Sequence, residues 1–130
     1  MKFSLLVLSA PHAGVAADSA WQFARAVVDA GHELQRVFFY QEGSYQGSAL
    51  AVSPQDEDDR VDRWVSLAEA SNADLVLCIA SAVKRGMLDQ GEADRHERPA
   101  ANVHPAFQLS GLGQLVDAHI ESDRLVTFGG

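Results

Sequence analysis

One cysteine, Cys78, is all the thiol this 130-residue chain carries. A single thiol cannot close an intrachain disulfide, so a disulfide scaffold is excluded, and four-cysteine zinc sites with it. Basic residues are scarce as well: 10 Lys and Arg stand against 18 Asp and Glu, a formal net charge of −8. A surface of that sign repels the nucleic-acid backbone, which argues against direct contact with DNA or RNA. A basic patch on a protein partner stays open. No apolar run approaches the roughly 20 residues that span a bilayer. Phosphate-binding signatures are missing too: no G-x-G-x-x-G follows the first apolar run, and no G-x-x-x-x-G-K-S/T occurs. "APHAG" has one glycine, and "LSGLGQL" reads as a tight turn entering a helix.

What is present suits one globular domain. Hydrophobic residues make up 47% and charged residues 22%, enough for a real core at this length. The start, "MKFSLLVLSAPHAG", has the charge and short apolar run of a weak signal peptide. The run is brief and a helix-start pattern follows it closely, so it reads as a first buried strand. The expected location is the cytoplasm.

Phe3–Leu8 is apolar except at Ser4, as buried parallel strands are. Ala17, Ala20, Trp21, Ala24, Val27 and Val28 recur at helical spacing across Ala17–Ala30, and Gly31 stands where a left-handed cap would end that helix. His32–Tyr40, centred on "VFFY", predicts a second strand. Gln41–Gln55 is polar, holds Gly43, Gly47 and Pro54, and reads as a long loop of the kind that often carries function. "SPQDEDD" reads either as a solvated acidic loop or as acids facing the positive end of the next helix. Val61, Trp64, Val65, Leu67 and Ala68 give that helix its apolar stripe, and Asn72 is placed to stop it.

Ala73–Ala80 predicts a third strand. Ser81–Arg95 predicts a helix, weakened at Gly86 and Gly91 by about 1 kcal/mol each relative to alanine. "HERPAANVHP" reads as a loop, "AFQLSG" as a short fourth strand, Leu112–His119 as a helix and Arg124–Phe128 as a last strand, with "FGG" fraying. The alternation predicts an α/β fold: a single domain with a mostly parallel sheet of about five strands and helices on both faces. Trp21, Phe23, Phe38, Phe39 and Trp64 are expected in the core or at a subunit interface.

Cys78 falls where the third strand ends and a basic segment begins, in "LVLCIASAVKRGM". In parallel sheets, ligands and chemistry gather at the carboxyl ends of the strands. Unpaired N–H groups at a helix start favour a nearby anion, a thiolate included. Lys84 and Arg85, about two turns on, would add positive potential. The competing view is that Cys78 is an inert small hydrophobe. His12, in the loop after the first strand, lies on the same sheet edge, and its plain reading is an exposed loop residue. His96 and His104 lack the spacing of a zinc site.

The segments "SAWQFARAVVDAGHELQRVFFYQEGSYQG", "LCIASAVKRGM" and "FQLSGLGQLVDAHIESDRLVTF" together resemble the DsrE/TusD family of sulfur-relay proteins, over nearly the whole chain. The middle segment is the most specific: a cysteine, small residues, a basic pair, a glycine. The loop "PHAGV" and the stretch "QGEADRHERPAANVHP" depart from the family pattern, which bears on partner contacts and not on the thiol.

The resemblance implies a Rossmann-like fold over residues 1–130 and a sulfurtransferase that carries sulfur as a persulfide on Cys78, with no cofactor and no metal. It implies TusB-like and TusC-like sister subunits in a heterohexamer, a TusA-like donor and a TusE/DsrC-like acceptor. It implies no direct contact with nucleic acid or membrane. The sulfur would end in 2-thiolation of the tRNA wobble uridine or, in the DsrE branch, in dissimilatory sulfur oxidation. Two other readings stay open: a structural subunit with an inert cysteine, and a flavodoxin-like ligand binder using Tyr40 and Tyr45 as stacking surfaces.

Overall fold

Alternate residues along each strand face opposite ways, and in this chain that parity sorts the side chains into two unequal layers. The computed structural model describes residues 1–129. Strands β1 (Lys2–Val7), β2 (Glu33–Phe39), β3 (Asp74–Cys78), β4 (Phe107–Ser110) and β5 (Arg124–Phe128) form one sheet in the order β4-β3-β2-β1-β5. Every neighbouring pair in it is parallel. Helices α1 (Ala16–Asp29), α2 (Arg60–Ser71), α3 (Ile79–Lys84), α4 (Gln90–Arg95) and α5 (Gly113–Glu121) fill the crossovers.

One face holds the main core. Leu5, Val7, Val37, Phe39, Leu75 and Leu77 pack there against α1 and α2. Trp64 of α2 is fully buried and meets Phe39 edge-on, ring centroids 5.3 Å apart. Truncating a buried tryptophan to alanine generally costs about 3–5 kcal/mol. Asp18 of α1 ties the two helices together by accepting from Arg60 at 2.7 Å and Arg63 at 2.6 Å. Trp21 and Phe23 are half-buried against this core, and Phe38 and Phe39 are fully buried, as expected of them.

The other face is thinner. Phe38, Val76 and Cys78 form its small cluster, with Leu6, Tyr40 and Leu115 packed on it. Helix α5 covers it. Arg36 reaches from β2 to the carbonyl of Gln114 at 3.0 Å and to Asp74 at 3.1 Å. Ser4, the polar break in the first strand, is buried on this side and hydrogen-bonds Ser122 at 2.7 Å.

The structure departs from the sequence expectations in three places. Residues Gln41–Gly47 wind as a 3-10 helix and do not loop. The single helix expected over Ser81–Arg95 is two: α3 stops at Arg85, Gly86 takes φ +74°, and α4 restarts after Asp89, whose side chain accepts from the Glu92 N–H. Gly31 caps α1 with φ +83°, as its position predicts. Phe128 closes β5 and does not fray, while Gly130 lies outside the described residues. No helix among the described residues is long and apolar enough to cross a membrane.

Candidate active site

Strand parity decides where the thiol points. Leu75 and Leu77 go into the main core, so Val76 and Cys78 face the α5 side. Cys78 is the last residue of β3 and occupies the N-cap position of α3, where no side chain caps the first turn. Its side chain is only 2% exposed. It nevertheless sits in the wall of an open cavity of about 480 Å³, together with Tyr40, Gln41, Ser81, Lys84 and Leu112. Cys78 therefore borders a surface cleft while its side chain packs in the smaller cluster on the α5 side and not in the main core.

Three elements build that cleft. The β3–α3 junction supplies Cys78 and Ser81. The end of β2 supplies Tyr40 and Gln41. The turn from β4 into α5 supplies Gly111 and Leu112. Gln41 holds a left-handed backbone, φ +53°, which costs a non-glycine residue of order 1 kcal/mol. Its N–H donates to the Ser81 hydroxyl at 3.0 Å, fastening the rim of the cleft to α3.

The two cations expected near the thiol behave differently. Arg85 donates to Glu42 at 2.8 Å and to the Ser81 carbonyl at 3.1 Å, so its charge is neutralised within the wall. Lys84 is exposed in the same wall, with no side-chain partner among the described residues. His12 does not join the site. It lies in the loop after β1, two strands from β3, with φ +67° and Nδ1 3.9 Å from Glu57. His96 pairs with Glu92 at 3.0 Å, and His104 accepts from the Ala106 N–H at 3.0 Å, so each serves its own loop. Tyr45 packs against the main core while Tyr40 packs beside Cys78, so the two rings expected as stacking surfaces lie in different clusters.

The sequence reading missed Gln41, Ser81 and Leu112 as cleft residues. Only "LSGLG" gave a hint, as a turn at the carboxyl end of a strand. Nothing in the sequence marks Gln41 as left-handed.

Known proteins match along the full length. Residues 1–128 match the DsrE/DsrF-like family. The chain is 50% identical over 129 residues to the DsrE protein of Allochromatium vinosum, covering 99% of both chains. It is 47% identical to a sulfurtransferase TusD homolog of Pseudomonas aeruginosa, covering 100% of this chain and 98% of the relative. A sulfurtransferase TusD of Klebsiella pneumoniae is 43% identical over 98% of this chain and 100% of its own. The crystal structure of the ychN protein from E. coli shares the fold with TM-score 0.75 at 17% identity, covering 98% of this chain and 99% of that one. With this sheet order, a full-length family match and relatives at such identity, the chain belongs to the DsrE/DsrF-like family.

Proposed function

We propose that the chain is one sulfurtransferase domain of a sulfur relay and that Cys78 carries the sulfur. The observation that carries this reading is the placement of the sole cysteine at the carboxyl end of β3, in the wall of an open cleft at the start of α3. Relatives named sulfurtransferase support it.

The chemistry needs no metal or organic cofactor. The Cys78 thiolate attacks the outer sulfur of a donor persulfide. The donor S–S bond breaks, the donor leaves as a thiolate with the electron pair, and Cys78 holds the transferred sulfur. An acceptor thiolate then attacks that outer sulfur, and Cys78 leaves in turn. No net oxidation occurs in either step. With one cysteine in the chain, no internal thiol can resolve the persulfide early. Sister subunits of the TusB and TusC kind would surround this chain in a heterohexamer, with a TusA-like donor and a TusE/DsrC-like acceptor. The relay would end in 2-thiolation of the tRNA wobble uridine, or alternatively in dissimilatory sulfur oxidation.

Incubation with a persulfide donor should add the mass of one sulfur atom to the purified chain, and Cys78→Ser should add none. Equal gain in both proteins, or none in the wild type, defeats the assignment. A second reading, an inert structural cysteine, draws on the 2% exposure of Cys78. It predicts no labelling by a small thiol reagent in the folded chain across neutral pH. Loss of 2-thiouridine from tRNA on deleting the gene supports the tRNA terminus, and unchanged 2-thiouridine argues for sulfur oxidation.

A further inference from the structure

Of the ten Lys and Arg side chains, seven pair with a carboxylate and Arg124 donates to the Asp123 carbonyl. Lys84 and Arg98 alone make no side-chain hydrogen bond or ion pair among the described residues. Both line the same groove, about 550 Å³ in volume, between α3 and the segment after α4. Its remaining surface is mostly apolar, from Val83, Leu88, Pro99 and Ala100. The groove shares Ala80 and Lys84, one helical turn apart, with the Cys78 cleft.

We propose that this groove seats an acidic, apolar-studded peptide segment of a partner protein, whose carboxylates meet Lys84 and Arg98. Two observations select that occupant. In a chain of net charge −8, three cations go unpaired with the protein's own acids, Arg124 being held by a main-chain carbonyl, and the other two fall on one groove; charge complementarity of this kind steers partners and sets register. The apolar floor between them accepts side chains, which a small inorganic anion does not have and an extended peptide does. Two cations on so acidic a surface are also too few to hold an anionic membrane. The use of this docking rests on the sulfur-relay reading: a segment lying in the groove runs past the wall that it shares with the Cys78 cleft, so a thiol on the same partner is delivered to the sulfur.

The test is a titration of the ¹⁵N-labelled full chain, followed by amide shifts, with a short synthetic peptide alternating aspartate and leucine. A counterpart with asparagine in place of aspartate is the control. The amides of Val83, Lys84, Arg98 and Ala100 should move with the acidic peptide. Its affinity should exceed the control's by roughly fivefold, and the advantage should shrink at high salt. Lys84→Glu with Arg98→Glu should abolish the preference. If that double variant loses its dispersed spectrum, Lys84→Gln with Arg98→Gln replaces it. Equal binding of both peptides, shifts confined to other surfaces, or a preference that survives the double variant overturns the proposal. So does full displacement of the acidic peptide by sodium phosphate, which would make this a small-anion site. Because the readout involves no sulfur chemistry, failure of Cys78 to accept sulfur is scored separately and leaves this result standing.

Discussion

Gly43 lies under the rim of the Cys78 cleft, and its backbone touches the first strand. A methyl group there would stand 2.1 Å from the Val7 carbonyl oxygen, a backbone atom with no room to yield. Four residues on, a methyl at Gly47 would stand 2.7 Å from the Leu77 Cδ1, the far end of a side chain, though one fully buried in the main core. The two glycines look alike in sequence and differ in what they face. Gly43→Ala should therefore destabilise by roughly 3 kcal/mol, because β1 or the 3-10 turn must shift. Gly47→Ala should cost less, about 1–2 kcal/mol, since a buried leucine must repack but a stiffer unfolded chain offsets part of that. Urea unfolding of both variants checks the ranking, and a reversed order rejects this account of the rim. Gly43→Ala should also loosen Gln41, whose N–H is tethered to Ser81. Cys78 was legible as a candidate because a lone thiol at a strand end is a local signal. Gln41 and Ser81 were not, because their contact joins residues 40 positions apart.

At the scale of elements, the helix ends show how sequence signals are used. After α3, the Met87 N–H bonds the Ala82 carbonyl at 2.8 Å and the Gly86 N–H bonds Val83 at 3.1 Å. After α4, the Arg98 N–H bonds Ala93 at 2.8 Å and the Glu97 N–H bonds Asp94 at 3.2 Å. Both are the same left-handed closure, yet α4 makes it with Glu97 at φ +54° where α3 uses glycine. The sequence reading took Gly86 as a weak point inside one long helix. The structure uses it as a stop, with Gly86 left-handed and the next residue, Met87, buried. Glu97→Gly should stabilise the chain by about 0.5–1 kcal/mol by relieving the strained backbone, and Gly86→Ala should cost about 1 kcal/mol or more. Thermal unfolding that moves both variants in the same direction contradicts this. The acidic run before α2 reads in the sequence either as a solvated loop or as acids facing the helix start, and the structure makes its last member a cap. Asp59 accepts from the Val61 and Asp62 N–H groups at 2.9 and 3.0 Å, and a cap next to its helix is a local pattern. Asp59→Ala should cost about 1 kcal/mol, read as a lowered midpoint of denaturation. An unchanged midpoint would mean that the loop, and not the cap, holds that end.

For the whole molecule, charge is the property that sequence states most directly, and folding refines it. The net charge is −8, and eight of the ten cationic side chains are occupied by internal partners. What remains is a negative surface with a pair of free cations along one groove. Binding to a nucleic-acid backbone draws its free energy from neutralising several phosphates at once and releasing their counterions. Two cations in a field of uncompensated carboxylates cannot supply that. If the relay does end on a tRNA base, the expectation is that the sulfur leaves this chain on another protein before it reaches RNA. The purified chain should leave the mobility of tRNA unchanged on a native gel at physiological salt, with or without sulfur on Cys78. A retarded band that disappears in Lys84→Glu with Arg98→Glu would show that the groove serves RNA, and the order of handovers argued here would have to be redrawn.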